Sequence, residues 1–252
     1  MSGRAPRRLG HLEEQVERAR ALPKAEGSKH YEVCEIGSDP ATMLDARLID
    51  TLLPQLQGWC SPYKGHRLAA WAFESPTPLC VELGVFGGRG LLALAVGLKG
   101  RRAGQAHGID PYTAAAQMKE GTPIPMPQEM LLYWRDLDYE AVMRGAEDGL
   151  RRGDLQDVAR IIRKRSQDAA GDYQPETVGV LHQDGNHTEE VSSDEVARWT
   201  PLLHPSGVWV IDDYHWPTTQ RAQRLLRDRG FVMIERCMRE GTDAWAAYQR
   251  PR

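Results

Sequence analysis

Residues 79–90, LCVELGVFGGRG, decide how this chain is read. LCVEL (79–83) is an apolar run of strand length carrying a single acid, Glu82. It stops at a glycine cluster, Gly84, Gly87, Gly88 and Gly90, and GLLALAVGLKG (90–100) continues with helical spacing. A strand, a glycine turn and a helix in that order let backbone pass close to a ligand and aim the first N–H groups of the helix at it. Working outward, AHGID (106–110) is a second strand ending in an acid. ARIIRKRS (159–166), VGVLHQD (178–184) and GVWVIDD (207–213) are further strands, and FVMIERC (231–237) and AWAAYQR (244–250) close the chain as neighbours. Helical patterns fill the gaps near 136–152, 189–203 and 217–229, the last begun by Pro217 and stopped by Gly230.

Strand alternating with helix predicts an α/β fold of Rossmann-like type. Its sheet is mostly parallel with one antiparallel terminal strand, and helices cover both faces. A chain of 252 residues is long enough for one such domain with a full core. With 41% hydrophobic and 27% charged residues it has an ordinary globular composition, and a formal charge of -3 gives no basis for nucleic-acid or anionic-membrane partners. No apolar run approaches the roughly 20 residues of a membrane helix. The basic start MSGRAPRRLG lacks the apolar stretch of a secretory signal. Cys34, Cys60, Cys80 and Cys237 form no C-x-x-C pair, so reduced thiols in a cytoplasm are expected.

Residues 1–60 are expected to hold a disordered tail (1–9), then helices that cover the site or join copies into a homo-oligomer. The helical spacing is carried by Leu12, Val16 and Ala19, and over 41–57 by Leu44, Leu48, Ile49, Leu52, Leu53 and Leu56, with Pro54 ending or kinking that helix. Residues 61–252 form the main domain, beginning with a helix through His66–Phe73. Within it, 113–135 holds three prolines, three methionines and two large aromatics, and is expected to be an irregular lid presenting Met126, Tyr133 and Trp134.

The glycine turn does not fit the dinucleotide pattern G-x-G-x-x-G, because Phe86 sits where its second glycine belongs. Glu82, Gly84 and Gly88 instead fit E-x-G-x-x-x-G, the loop that binds a methyl donor; a tight turn without a ligand is the plain alternative. Asp110 stands where an acid accepts hydrogen bonds from ribose hydroxyls, a device shared by nicotinamide enzymes, and it is equally placed to be a turn residue before Pro111. Ser166, Gln167 and Asp168 follow the third strand, where an adenine ring would lie.

Asp184 ends the fourth strand and Asp212 and Asp213 end the fifth, which brings three carboxylates to one rim. They repel one another unless a cation lies between them, and hard oxygen ligands suit Mg²⁺. Acids that merely cap helices are the simpler alternative. His187, three residues beyond Asp184, is placed as a general base. His182 lies inside its strand and reads as structural, while His215 and Trp216 are candidates to line a substrate pocket.

The segments KGHRLAAW (64–71), VELGVFGGRG (81–90), GIDPY (108–112), LHQDGNH (181–187) and VIDDY (210–214) together resemble a known family. It is that of the class I S-adenosylmethionine-dependent, metal-dependent O-methyltransferases. The nearer resemblance is to the sugar enzymes of macrolide and aminocoumarin biosynthesis, and the further one to the catechol type. It spans about residues 61–250, and its most specific feature is that Asp212 and Asp213 follow Asp184 by 28 and 29 residues. The resemblance implies Asp184, Asp212 and Asp213 as metal ligands. It implies His187 as base, where catechol enzymes have lysine, with Asp184 also in the catalytic set and beside the donor. Lys64 and Gly65 would lie near the methionine end of the donor, Glu82, Gly84 and Gly88 in its loop, and Asp110 on its ribose. The Asp-Asp pair, Asp-Asn in catechol enzymes, points to a sugar hydroxyl on a small-molecule acceptor. Two features depart from the pattern: Gly90 replaces a Ser or Thr of the donor loop, and the insertion after Asp110 has no counterpart. The rival from another class, a nicotinamide-dependent oxidoreductase, requires the glycine pattern that Phe86 breaks and leaves three rim carboxylates unexplained.

Overall fold

The computed structural model describes residues 47–117, 128–239 and 243–250. A helical stretch at 47–52 runs into a single 3₁₀ turn, Leu53–Gln55, where Pro54 stops the α-helix. Helix α1 is Pro62–Phe73. It starts four residues before the sequence expectation because Ser61 caps it, accepting the Lys64 N–H at 3.2 Å, with Pro62 in the first turn. Strand β1 (Leu79–Leu83), helix α2 (Arg89–Gly100) and strand β2 (Gln105–Ile109) follow as expected.

The stretch after β2 is not a plain loop. Its described ends are helical, α3 (Ala114–Gln117) and α4 (Gln128–Asp136); residues 118–127, with Met126, lie outside the described residues, as do the tail and first helix expected within 1–46. Helix α5 (Tyr139–Arg152) is separate from α4, because the Asp138 side chain accepts the Ala141 N–H and starts a new helix. Then come β3 (Ala159–Ile162), the short helix α6 (Ser166–Ala169), β4 (Val178–Gln183), α7 (Glu189–Trp199), β5 (Leu203–Asp212), α8 (Gln220–Asp228), β6 (Val232–Arg239) and β7 (Asp243–Gln249). β3 is shorter than the apolar pattern implied, since Arg163, Lys164 and Arg165 are exposed. α7 stops at Trp199, and β5 begins earlier, at Leu203.

The sheet order is β3-β2-β1-β4-β5-β7-β6, with β7 antiparallel to both neighbours and the other pairings parallel. This is the Rossmann-like sheet expected, and the order reverses between β1 and β4, where such sheets bind ligands. Alternation along the strands divides the core. Cys80, Val180, Val208 and Val210 pack with α1 and α2, whereas Val81, Leu83, Leu181, Trp209 and Ile211 pack with Val196, Trp199, Ala222 and Leu226 of α7 and α8. The same alternation sets the polar residues: Glu82, His182 and Asp212 share the first face, and Gln183 lies on the second.

Candidate active site

The glycine turn is shaped by close contacts. Gly84 has φ +87, and a β-carbon there would stand 2.2 Å from the Asp184 carbonyl oxygen, so only glycine lets the end of β1 press against the end of β4. Gly88 caps α2 in the left-handed region at φ +86, facing Ala146 of α5. Phe86, also left-handed, stacks on Trp59 at 5.4 Å and meets Trp134 of α4 edge-on at 5.4 Å. The insertion thus rests on the glycine turn, and the Ala116 carbonyl accepts the Asn186 side chain at 2.7 Å.

Asp110 is buried and turned onto this loop. Its Oδ2 accepts the Val85 and Phe86 N–H groups at 3.0 Å each, and Oδ1 accepts the Tyr112 N–H at 2.7 Å. These bonds tie the end of β2 to the glycine turn. Asp110→Asn is expected to lower the melting temperature of the donor-free protein, because its NH₂ must face an N–H donor. A hydrogen bond to a charged group is worth about 1.5–3 kcal/mol. An unchanged melting curve with weakened donor binding would return Asp110 to the ribose alone.

Three carboxylates do reach the rim, but not as one group. Lys64 is buried in α1 and its Nζ donates to Asp184 Oδ2 at 3.3 Å and, closer still, to Asp212 Oδ2. His182 is wholly buried; its Nδ1 lies 2.8 Å from Glu82 Oε1, and its Nε2 faces Asp184 Oδ2 at 3.8 Å and Asp212 Oδ1 at 3.6 Å. Among the described residues, the set close enough to share one ion is His182, Asp184 and Asp212, with ligand atoms within 4.8 Å of one another. Asp213 stands outside it. Its backbone is left-handed at φ +47, and its Oδ2 faces His187 Nε2 at 3.6 Å, as does Asp184 Oδ1. Of the expected trio of acids, Asp184 and Asp212 lie in this set with His182, which was read as structural, and Asp213 lies on the His187 side.

Charge states follow from these contacts. Burial raises the Asp184 carboxyl, but Lys64 and His187 outweigh it and hold the group below the usual carboxylate range. Burial pushes Asp213 up to about 6, with His187 opposing and Asp212 and Asp184 adding to the rise. Burial lowers His187, yet its pairing with Asp184 and the nearby carboxylates leave it above the ordinary imidazole value. For His182, burial and Lys64 favour the neutral ring, but Asp212 and Glu82 prevail and lift it to about 9.

Other expected site residues fall as follows. Gly65 is in a helix contact, where a β-carbon would meet Ile49 and Leu53 at 2.8 Å, and Lys64 pairs with the rim acids. The Gly90 departure has a steric cause, since a β-carbon there would lie 1.9 Å from Glu82 Oε1 and 2.9 Å from His182 Nδ1. Trp216 packs edge-on against His187 at 5.5 Å. A separate open cavity of about 320 Å³ beside His107, Arg160 and Tyr173 includes none of these residues.

Ser166 belongs to a second buried network, on the opposite face. Its hydroxyl donates to Glu195 Oε1, Gln183 Nε2 donates to Glu195 Oε2 at 2.7 Å, and Trp209 Nε1 donates to Gln183 Oε1 at 3.0 Å. Burial, only partly offset by Ser166 and Gln183, pushes Glu195 up to about 7. Sequence reasoning missed this residue. Between the ordinary glutamate value and about 7 the folded chain holds a proton that the unfolded chain has released, so stability falls as pH rises through that window. Glu195→Gln removes that cost. Its stability relative to wild type is expected to increase from pH 5 to pH 8, by an amount on the order of 3 kcal/mol. A pH-independent difference in calorimetry would show that Glu195 stays ionised.

A strand–glycine turn–helix facing a rim of acids, at the point where the strand order reverses, is the ligand-binding edge of a Rossmann-like sheet. A family model described as a methyltransferase domain matches residues 81–214, more than half of the chain, and the protein belongs to that family. No curated protein sequence matches the chain. Among solved structures, the O-methyltransferase NovP aligns with TM-score 0.63 and 17% identity over 84% of this chain and 100% of its own. A SAM-dependent O-methyltransferase from Thermotoga maritima aligns with TM-score 0.55 and 14% identity, over 81% and 72%. The O-methyltransferase TomG from Streptomyces achromogenes, involved in tomaymycin synthesis and in complex with SAM, aligns with TM-score 0.52 and 16% identity, over 94% and 96%. These likenesses establish the fold.

Proposed function

We propose that this methyltransferase moves a methyl group from S-adenosylmethionine to a hydroxyl of a small-molecule acceptor, a sugar of a natural product or a nucleotide sugar. A divalent cation, Mg²⁺ on an oxygen-only reading, assists. The observation that carries this reading is the meeting of Asp184, Asp212, Asp213 and His187 at the rim beside the glycine turn, where Gly84 touches the Asp184 backbone. The structural likenesses to enzymes described as O-methyltransferases support it.

The residues present fit a cation. Asp212 Oδ1 and His182 Nε2 are buried, face one another and have no hydrogen-bond partner. Asp184 and Asp212 would hold the ion, and when bound it would lower the pKa of an acceptor hydroxyl and orient it. The sulfonium donor is already activated, so the chain supplies position and a place for the proton. The glycine turn presents the α2 N-terminus to the donor. His187 Nε2, between Asp184 and Asp213, takes the proton from the acceptor oxygen. Trp216 packs against the ring of His187, and Trp59, Phe86 and Trp134 cluster on the glycine turn.

The Asp212–Asp213 pair favours a sugar hydroxyl over a catechol-type phenol. Among the described residues no helix is long and apolar enough to cross a membrane. The same reading places the enzyme in the cytoplasm as a homo-oligomer, with residues 1–60 covering the site or joining copies. Dialysis against a chelator is expected to abolish methyl transfer to a sugar-bearing acceptor, and added Mg²⁺ to restore it; full turnover by the stripped enzyme would overturn the metal's part.

A further inference from the structure

We propose that His182 is itself a ligand to the ion, so that the site is built for a borderline first-row divalent cation such as Mn²⁺, Co²⁺ or Zn²⁺ rather than for Mg²⁺. This rests on the metal-assisted reading above and makes it specific. The first ground is the orientation of the imidazole. His182 is 0% exposed, and its Nε2 is an unpartnered atom aimed at Asp184 and Asp212, 3.8 Å and 3.6 Å away. Both distances are too long for a hydrogen bond. They are close to the ~3–3.5 Å that separates ligand atoms around an ion with metal–ligand bonds of about 2.0–2.2 Å.

The second ground lies behind the ring. Glu82 Oε1 is 2.8 Å from His182 Nδ1, so a carboxylate fixes the tautomer that presents the Nε2 lone pair to the ion. Metal-bound histidines characteristically donate the other ring N–H to such a carboxylate. Glu82 and His182 are direct cross-strand partners of β1 and β4, and Asp212 lies two residues beyond Val210, the partner of His182 on β5. The alternation of three adjacent strands therefore builds a carboxylate–imidazole–ion–carboxylate row.

The third ground is Gly90. Any side chain there would strike Glu82 and His182, so the departure of the donor loop from Ser or Thr makes room for this pair. Lys64 holds Asp212 Oδ2 and reaches Asp184 Oδ2 at 3.3 Å, the atom that also faces His182, so the unpartnered carboxylate oxygen turned to the ring is Asp212 Oδ1. Imidazole nitrogen suits Zn²⁺, Fe²⁺ and their neighbours, whereas Mg²⁺ demands near-octahedral oxygen coordination.

The test uses Mn²⁺ as the probe on the full-length chain, read by electron spin-echo modulation from directly bonded ¹⁴N, with calorimetry for affinity. Wild type is expected to show bonded nitrogen that persists in His187→Ala and disappears in His182→Asn. Glu82→Gln and His182→Asn are each expected to weaken Co²⁺ binding by about 10–100-fold, with Mg²⁺ affinity within twofold of wild type. The wild-type and His187→Ala spectra need no alteration of the core, so the proposal stays testable if His182→Asn fails to fold. Mn²⁺ bound without bonded nitrogen would overturn the role of His182 and leave the acidic site standing. Failure of any divalent ion to bind would remove both readings.

Discussion

His187→Ala is expected to lower kcat by about 10²–10⁴-fold, the usual cost of losing a general base, while donor and divalent-cation affinities stay within a few-fold of wild type. The expectation follows from placement. His187 Nε2 is 3.6 Å from both Asp184 Oδ1 and Asp213 Oδ2, and its side chain is 16% exposed, so the ring borders the rim without lying in the His182–Asp184–Asp212 set. A base must be unprotonated to act. Burial favours the neutral ring, but Asp184 and the neighbouring carboxylates hold its pKa above the ordinary imidazole value. In wild type, kcat/KM is therefore expected to rise with pH through an ionisation at or above that value, and the rising limb to vanish in the variant. The defect should also shrink at high pH, where the acceptor hydroxyl ionises without help. A purely structural His187 predicts otherwise: a lowered melting temperature, weakened binding and a pH profile of unchanged shape. A folded variant with wild-type turnover at neutral pH would pass the proton to Asp184.

The fold was legible because its signals are local. LCVEL, HGI and VWVI are apolar runs bounded by glycines or acids, and the helices between them carry caps such as Thr188 and terminators such as Gly230. The rim was legible for the same reason, since acids at the ends of β4 and β5 must share an edge in a parallel sheet. What lay hidden depends on distant pairing. Glu82 was read as the strand-borne acid of the donor motif and His182 as structural; they are neighbours only because β1 pairs with β4 in a register that sets 82 against 182. A usable signal was present, in that Glu82 and His182 are polar positions inside buried strands and each has the parity that faces α1 and α2. Asp213 was grouped with Asp212 because the two are adjacent, but successive strand residues point to opposite faces, and the left-handed turn at Asp213 carries it towards His187. Glu195 carries no mark in the sequence that separates it from the other acids of α7; the tertiary packing of α6 and β4 buries it against Ser166 and Gln183.

Lys64→Met is expected to destabilise the chelator-treated protein by about 3–5 kcal/mol, the cost of removing one partner of a buried ion pair. For a chain of this size that is roughly a 10 °C fall in melting temperature. Lys64 was expected at the methionine end of the donor. The structure places its ammonium, itself buried, on Asp184 Oδ2 and Asp212 Oδ2. Burial disfavours the charged lysine, yet the two aspartates hold its pKa well above the ordinary value, so it remains charged. Without it the rim acids keep only the histidines as counter-charges. Methionine preserves the volume of the stem within α1, which confines the loss mainly to charge. A divalent cation binds the folded site and not the unfolded chain, so it stabilises by mass action. It also supplies the missing positive charge, so added Mn²⁺ is expected to raise the melting temperature of Lys64→Met by more than that of wild type. Donor affinity, measured by calorimetry with Mn²⁺ present, is expected to change little. The two roles separate cleanly. A variant that melts with wild type under chelator but loses donor binding would place Lys64 at the donor. A variant that melts early, recovers with cation and still binds donor would make it the internal counter-ion of Asp184 and Asp212, holding the two carboxylates together until the ion arrives.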